Sequence, residues 1–166
     1  MKLIVLTIAL ITTCAHTSET MQDGAKYKQA LTEAVKSADQ IVIMEHSHSD
    51  DFRRANIKAP EKNVIYKKAS LNAAQTKLLL SDLEKMPGTT KSKFAACIFW
   101  PHHTIQFYKK KKLLSSIELC YHCDDSEWSS TKLVPPAKLL PTLSQTLKRL
   151  GMSTERNWVA LTNRVN

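Results

Sequence analysis

Two apolar runs separated by a tetralysine leave this chain few ways to fold. Phe94 to Trp100 is continuously apolar or small, as a strand covered on both faces requires, whereas Ile105 and Phe107 alternate with polar neighbours. Beyond Lys109 to Lys112 the pattern resumes at Leu113, Ile117 and Leu119. The expectation is a β-hairpin over about 94–121, kinked at Pro101 and turning at Lys110-Lys111. Neither Asn-Gly nor Asp-Gly marks the turn, so its type stays open. Such a turn would set Cys97 opposite the Cys123 region and His103 opposite Glu118.

The surrounding sequence alternates helical and extended signals. Tyr27, Leu31, Ala34, Val35 and Ala38 recur at helical spacing and predict a helix from about Gly24 to Ala38. Ile41 to Met44 reads as a strand, His46 to Pro60 as a long polar surface loop, and Val64 to Tyr66 as a second short strand. Leu71, Leu78, Leu79, Leu83 and Met86 mark a helix stopped by Pro87-Gly88. A final helix carries Leu143, Leu147 and Leu150, with Pro141 in its first turn and Gly151 as its cap. Trp158, Leu161 and Val165 suggest a tail that packs back. A length of 166 residues suits one hydrophobic core, and 43% apolar content with 3 Gly and 6 Pro excludes a disordered or collagen-like chain. The predicted fold is therefore a single α+β domain over 23–166, its antiparallel sheet centred on the hairpin and its flanking helices on one side.

The amino terminus points to export. Met1-Lys2 is a minimal charged region, Leu3 to Ile11 is apolar, and small or polar residues follow, which is the layout of a signal peptide over 1–14. The apolar run is well short of the roughly 20 residues of a spanning helix. Cys14 at its end resembles a lipobox cysteine, a candidate site of lipidation, although Thr13 departs from the Gly, Ala or Ser usual before it. Cleavage after Ala15 is the competing outcome. Residues 15–22 then read as a polar tether. The expected location is the cell envelope or periplasm, with the membrane as partner through a lipid at Cys14. The net charge of +9 is scattered, which suits a solvated surface, and nucleic acid is not expected as a partner. The lysine run could touch anionic lipid headgroups, but it reads first as a soluble, self-repelling turn. No protein partner is specified.

Two constellations could carry chemistry. His46-Ser47-His48-Ser49-Asp50-Asp51 resembles the His-x-His-x-Asp-His signature of the metallo-β-lactamase fold, with Asp51 in place of the last histidine. No histidine follows His122 to complete such a site, so an exposed polar loop is the expected reading. The second constellation is Cys97 through Ile105 with Glu118 through Cys123. Without Cys14, three cysteines remain, an odd number for an oxidising compartment. Cys97, His103 (or His102), Cys120 and Cys123 offer the ligand types of a tetrahedral zinc site. The same cysteines could be structural or disulfide-bonded, or Cys120-x-x-Cys123 could do redox work. If a bridge forms, Cys97–Cys123 is the expected pair, because joining Cys120 to Cys123 would force an extended strand end into a tight loop.

The pattern Cys97-x-x-x-Pro101-x-His103-x-Ile105, a lysine-rich turn, and Leu119-Cys120-Tyr121-x-Cys123 resembles a family of small, mostly exported bacterial proteins with no assigned activity. The likeness runs from about Val64 to Gly151. Arg is frequent in that family where His102 stands here, which implies His103 as the better candidate ligand. The resemblance implies a shape and paired motifs but no reaction. The expected function is an exported, lipid-anchored, non-enzymatic domain with a structural Cys/His cluster and no cofactor. The alternative is a zinc-dependent or thiol-dependent enzyme using Cys97, His103, Cys120 and Cys123, or the His46-His48-Asp50 loop. Glu118 beside His103 would be only a weak acid–base pair. Convergence of His46, His48 and His103 in one concave pocket would favour the enzyme.

Overall fold

A computed structural model describes residues 16–90 and 97–164, with side chains from residue 23 onward. The predicted signal segment, Cys14 and Val165 lie outside the described residues, as do residues 94–96 of the expected first hairpin strand. Among the described residues no helix is long and apolar enough to cross a membrane.

In chain order the elements are α1 (His16–Ser37), β1 (Gln40–His46), α2 (Ser49–Arg54), β2 (Ile65–Ser70), α3 (Ala73–Lys85), β3 (His103–Lys109), β4 (Lys112–Cys120), β5 (Asp125–Trp128), α4 (Leu139–Arg149) and α5 (Trp158–Thr162). The strands form one antiparallel sheet in the order β2-β1-β3-β4-β5. An α+β architecture built around the β3–β4 hairpin is thus present. Strand alternation sends Ile41, Ile43, Ile105, Phe107, Ile117 and Leu119 to one face. There they bury against Tyr27, Leu31 and Val35 of α1, Leu79 and Leu83 of α3, and Leu143 and Leu147 of α4. The opposite face carries Met44, Gln106, Ser116 and Glu118, half-buried or exposed, beside buried Val42, Thr104 and Cys120, so these three helices cover one side as expected.

The lysine turn has two residues. Lys110 and Lys111 hold φ of 48° and 65°, the left-handed pair that a type I′ hairpin loop needs, and Lys109 pairs with Lys112. The Lys110 amide donates to Asp39 Oδ2 at 2.6 Å and Lys109 Nζ donates to the Ser37 carbonyl at 2.6 Å, tying the tip to the end of α1.

The expected register holds only near that turn. Between Phe107 and Tyr108 it shifts, leaving Leu114 as the extra residue of a β-bulge. His103 therefore faces Leu119, and Glu118 pairs with Thr104 on the opposite face, which dissolves the His103–Glu118 pair. The physical reason is the core: without the bulge Ile105 would face Ser116, and Glu118 rather than Leu119 would point inward.

Other departures have equally local causes. Helix α1 continues back to His16 through the expected tether, since each further residue of an existing helix adds a backbone hydrogen bond at little nucleation cost. The loop after β1 contains α2, whose buried Phe52 anchors it to the fold. Residues 97–100 are not a strand covered on both faces: Cys97 and Ile98 are exposed. Strand β5 has no sequence signal beyond Trp128. Helix α4 ends as expected, with Gly151 at φ +68°; the Met152 amide donates to the Leu147 carbonyl and the Gly151 amide to that of Lys148, a complete Schellman cap. It is followed by α5, so it is not the last helix.

Candidate functional site

Because β1, β3 and β4 run alternately, the carboxyl ends of β1 and β4 and the amino end of β3 lie at one end of the sheet. Histidines from distant parts of the sequence meet there. A cleft of about 580 Å³ opens at this end, its wall including Asp51, Arg54, Trp100, His102, His103, Tyr121, Arg156 and Trp158.

Helix α2 positions Asp51. The Asp50 amide donates to His48 Nδ1 at 3.3 Å, and the His48 amide donates to Asp51 Oδ2 at 2.7 Å, so the two side chains cap the helix reciprocally. The same Asp51 carboxylate accepts from His102 Nε2 at 3.0 and 3.1 Å. Both groups are buried, and Trp158 stacks on the imidazole with centroids 4.2 Å apart and planes 9° off parallel. A carboxylate on one nitrogen orients the ring and fixes a proton on that nitrogen. Tyr66 stacks near Trp158 at 6.3 Å, so α5 is locked onto the site through aromatic contacts.

His46 and His103 are held neutral. His46 Nδ1 donates to the Ser47 carbonyl at 2.9 Å, with Asn63 Nδ2 at 3.4 Å from the same nitrogen, and its Nε2 accepts from Thr104 Oγ1 at 2.8 Å. Burial first, then the neighbouring imidazoles, lowers its pKa. His103 is 1% exposed and its pKa is pushed down to about 3, by burial first and then by the neighbouring imidazoles of His46 and His102. The Ser153 backbone is the one hydrogen-bonding group beside its ring, at poor geometry, and the other nitrogen has no partner. Tyr121 packs edge-on at 5.5 Å, and burial raises its phenol pKa, so it keeps its proton. Beside His103 on the neighbouring strand, the fully buried Glu45 carboxylate lies 2.5 Å from Arg156 Nε. Arg54 lies over the Trp100 ring at 4.1 Å.

The cysteines resolve differently from a metal site. Cys97 and Cys123 form a disulfide with Cα atoms 5.7 Å apart, the expected pair. Cys120 is a buried free thiol. A disulfide removes two of the four thiolate and imidazole ligands proposed for zinc. Strand alternation separates the others, since His103 shares a face with Leu119 while Cys120 points the other way. Among the described residues no group of three or more His, Cys, Asp or Glu is arranged to hold a metal ion. The His46-His48-Asp50 set is divided in part: His46 bonds Thr104, whereas His48 Nδ1 lies 3.7 Å from Asp50 Oδ2 at the start of α2, where Asp50 also accepts from Arg53 at 2.6 Å.

His46, His48, His102 and His103 do gather at one end of the sheet, but only His102 and His103 of these line the cleft. His102, set aside in favour of His103 on sequence grounds, is the one engaged by a carboxylate. Glu45 carried a readable signal, being the in-phase continuation of Ile41 and Ile43 into the core. Trp158 and Arg156 carried none that tied them to residues over fifty positions earlier. Comparison with protein-family models, curated proteins and solved structures finds no match.

Proposed function

We propose that this chain is an exported, non-enzymatic binding domain of the bacterial cell envelope, anchored through a lipid at Cys14, that takes a small polar ligand into the cleft at the end of its sheet. The observation that carries the binding half is His103: a buried imidazole in the wall of a 580 Å³ cleft, with the Ser153 backbone beside one nitrogen and no partner for the other. Buried polar groups are normally satisfied, so one left open toward a cleft of ligand size suits a bound partner. The Cys97–Cys123 disulfide supports the export half, since such bonds persist in oxidising compartments.

Fractionation of cells expressing the wild type and Cys14→Ser tests location and anchoring; a wild-type protein wholly soluble after cleavage ends the lipid idea. Tryptophan fluorescence of the full chain, titrated with small polar compounds, tests binding through Trp100 and Trp158. Absence of any saturable response removes the binding reading.

A second reading is favoured by one observation, the Asp51–His102 pair, which has the form of an oriented general base. Among the described residues no hydrogen bond joins His102 to a serine, threonine or cysteine, so a nucleophile would have to be water or the ligand itself. Turnover of any compound that binds, lost in His102→Gln, would replace the non-enzymatic reading with this one.

A further inference from the structure

We infer that the cleft is built for a small molecule bearing an oxyanion group, a carboxylate or a phosphate, with Arg54 as its counter-ion. This inference rests on the binding reading above and adds the ligand's chemical class.

The polar groups of the wall divide into those already engaged and those still open. Asp51 is occupied by the His48 amide and His102 Nε2, and Arg156 by buried Glu45. Arg54 is exposed, and its contact is the face of Trp100, which leaves the edge of its guanidinium available. That edge is a planar fork matched to carboxylate and phosphate oxygens. Two further wall residues carry buried polar atoms without a hydrogen-bond partner, Trp100 Nε1 and Tyr121 Oη, whereas His103 already has the Ser153 backbone beside its ring. An indole N–H only donates and a protonated phenol donates, while the one N–H of neutral His103 is directed at the Ser153 backbone. The open groups are therefore mostly donors around one cation, and they suit acceptor oxygens. The opposing charges are Glu155 at the exposed edge of the cleft, Asp51 in its wall, and Asp50 within electrostatic reach of Arg54. A cavity of about 580 Å³ is in the range of small-molecule sites, so a compact ligand fits better than a polymer.

The test titrates the full chain with succinate, inorganic phosphate and neutral 1,4-butanediol, read by tryptophan fluorescence and calorimetry. Saturable binding of succinate, phosphate or both is expected, and the ratio of the two identifies the group. Arg54→Gln should weaken that binding by about tenfold or more, as loss of a charge-assisted hydrogen bond does, and Arg54→Lys by less. Glu155→Gln should tighten it by a few-fold. Because both positions are exposed, circular dichroism should show unchanged folding. Unchanged affinity in Arg54→Gln overturns the inference. So does butanediol binding as tightly as succinate, although the binding reading would then survive. If none of the three probes binds, both fall.

Discussion

At the scale of single residues, burial of imidazoles sets the pH response. His103 titrates near 6.5 when unfolded and near 3 in the fold, so below about 6.5 the unfolded chain takes up a proton that the folded one refuses. Stability is therefore complete above that pH and is lost as pH falls toward 3, by up to about 1.4 kcal/mol per pH unit for this one group. His46 is shifted in the same direction and adds to the slope. Urea midpoints should fall between pH 7.5 and 4.5, and His103→Gln should flatten that slope whatever it does to stability at pH 7.5. An equal slope in the variant would assign the effect elsewhere. Asp51 serves both the α2 cap and His102, so Asp51→Asn should cost about 1–3 kcal/mol. A double-mutant cycle with His102→Gln should return a coupling of at least about 0.5 kcal/mol; additivity would mean the pair does not interact in solution.

At the scale of elements, two local geometries are exposed to substitution. Lys110 and Lys111 occupy left-handed conformations that cost an ordinary side chain roughly 1 kcal/mol or more. Replacing them with Asn-Gly should raise stability by about 1 kcal/mol, seen as a thermal midpoint higher by about 2–4 °C. A decrease would show that the lysines hold the tip through contacts other than the Lys110 amide and Asp39. Helix α1 crosses the segment after α3 at Gly24, where an added Cβ would lie 2.2 Å from the Gly88 carbonyl oxygen and 2.8 Å from Thr90 Cγ2. Alanine would improve helix propensity by about 1 kcal/mol, yet backbone cannot yield as a flexible side chain does. Gly24→Ala should therefore be destabilising in denaturant titration despite the better propensity.

At the scale of the whole molecule, one covalent bond ties the approach to β3 to the turn after β4. The Cys97–Cys123 bridge spans 26 positions, and loop-closure entropy for such a span is about 3–4 kcal/mol. Its loss should lower stability by that order, and it should also loosen Trp100 at the cleft wall, three residues from the bridge. Cys97→Ser/Cys123→Ser is therefore expected to lower the urea midpoint and to weaken any ligand seen in the fluorescence titration. Retained affinity would show that the wall stands without the bridge.

Periodicity alone determined a large share of this protein. Which face of α1, α3 and α4 is apolar, that Lys110-Lys111 is a turn, that Gly151 ends α4, and that Cys97 would meet Cys123 are all written in spacings of two to four residues or in one hairpin count. Such signals are legible because burial repeats with the geometry of the element itself. Tertiary structure decided what a count along the chain cannot carry. The bulge at Leu114 arises because Ile117 and Leu119 must share a face with Ile105, and a single extra residue exchanged the predicted partner of His103. The candidate site required β1, β3 and β4 to end together before Asp51, His102 and Trp158 could touch. Side chains fifty positions apart acquire chemistry in common only when the packing of their elements sets their distance and removes water from between them.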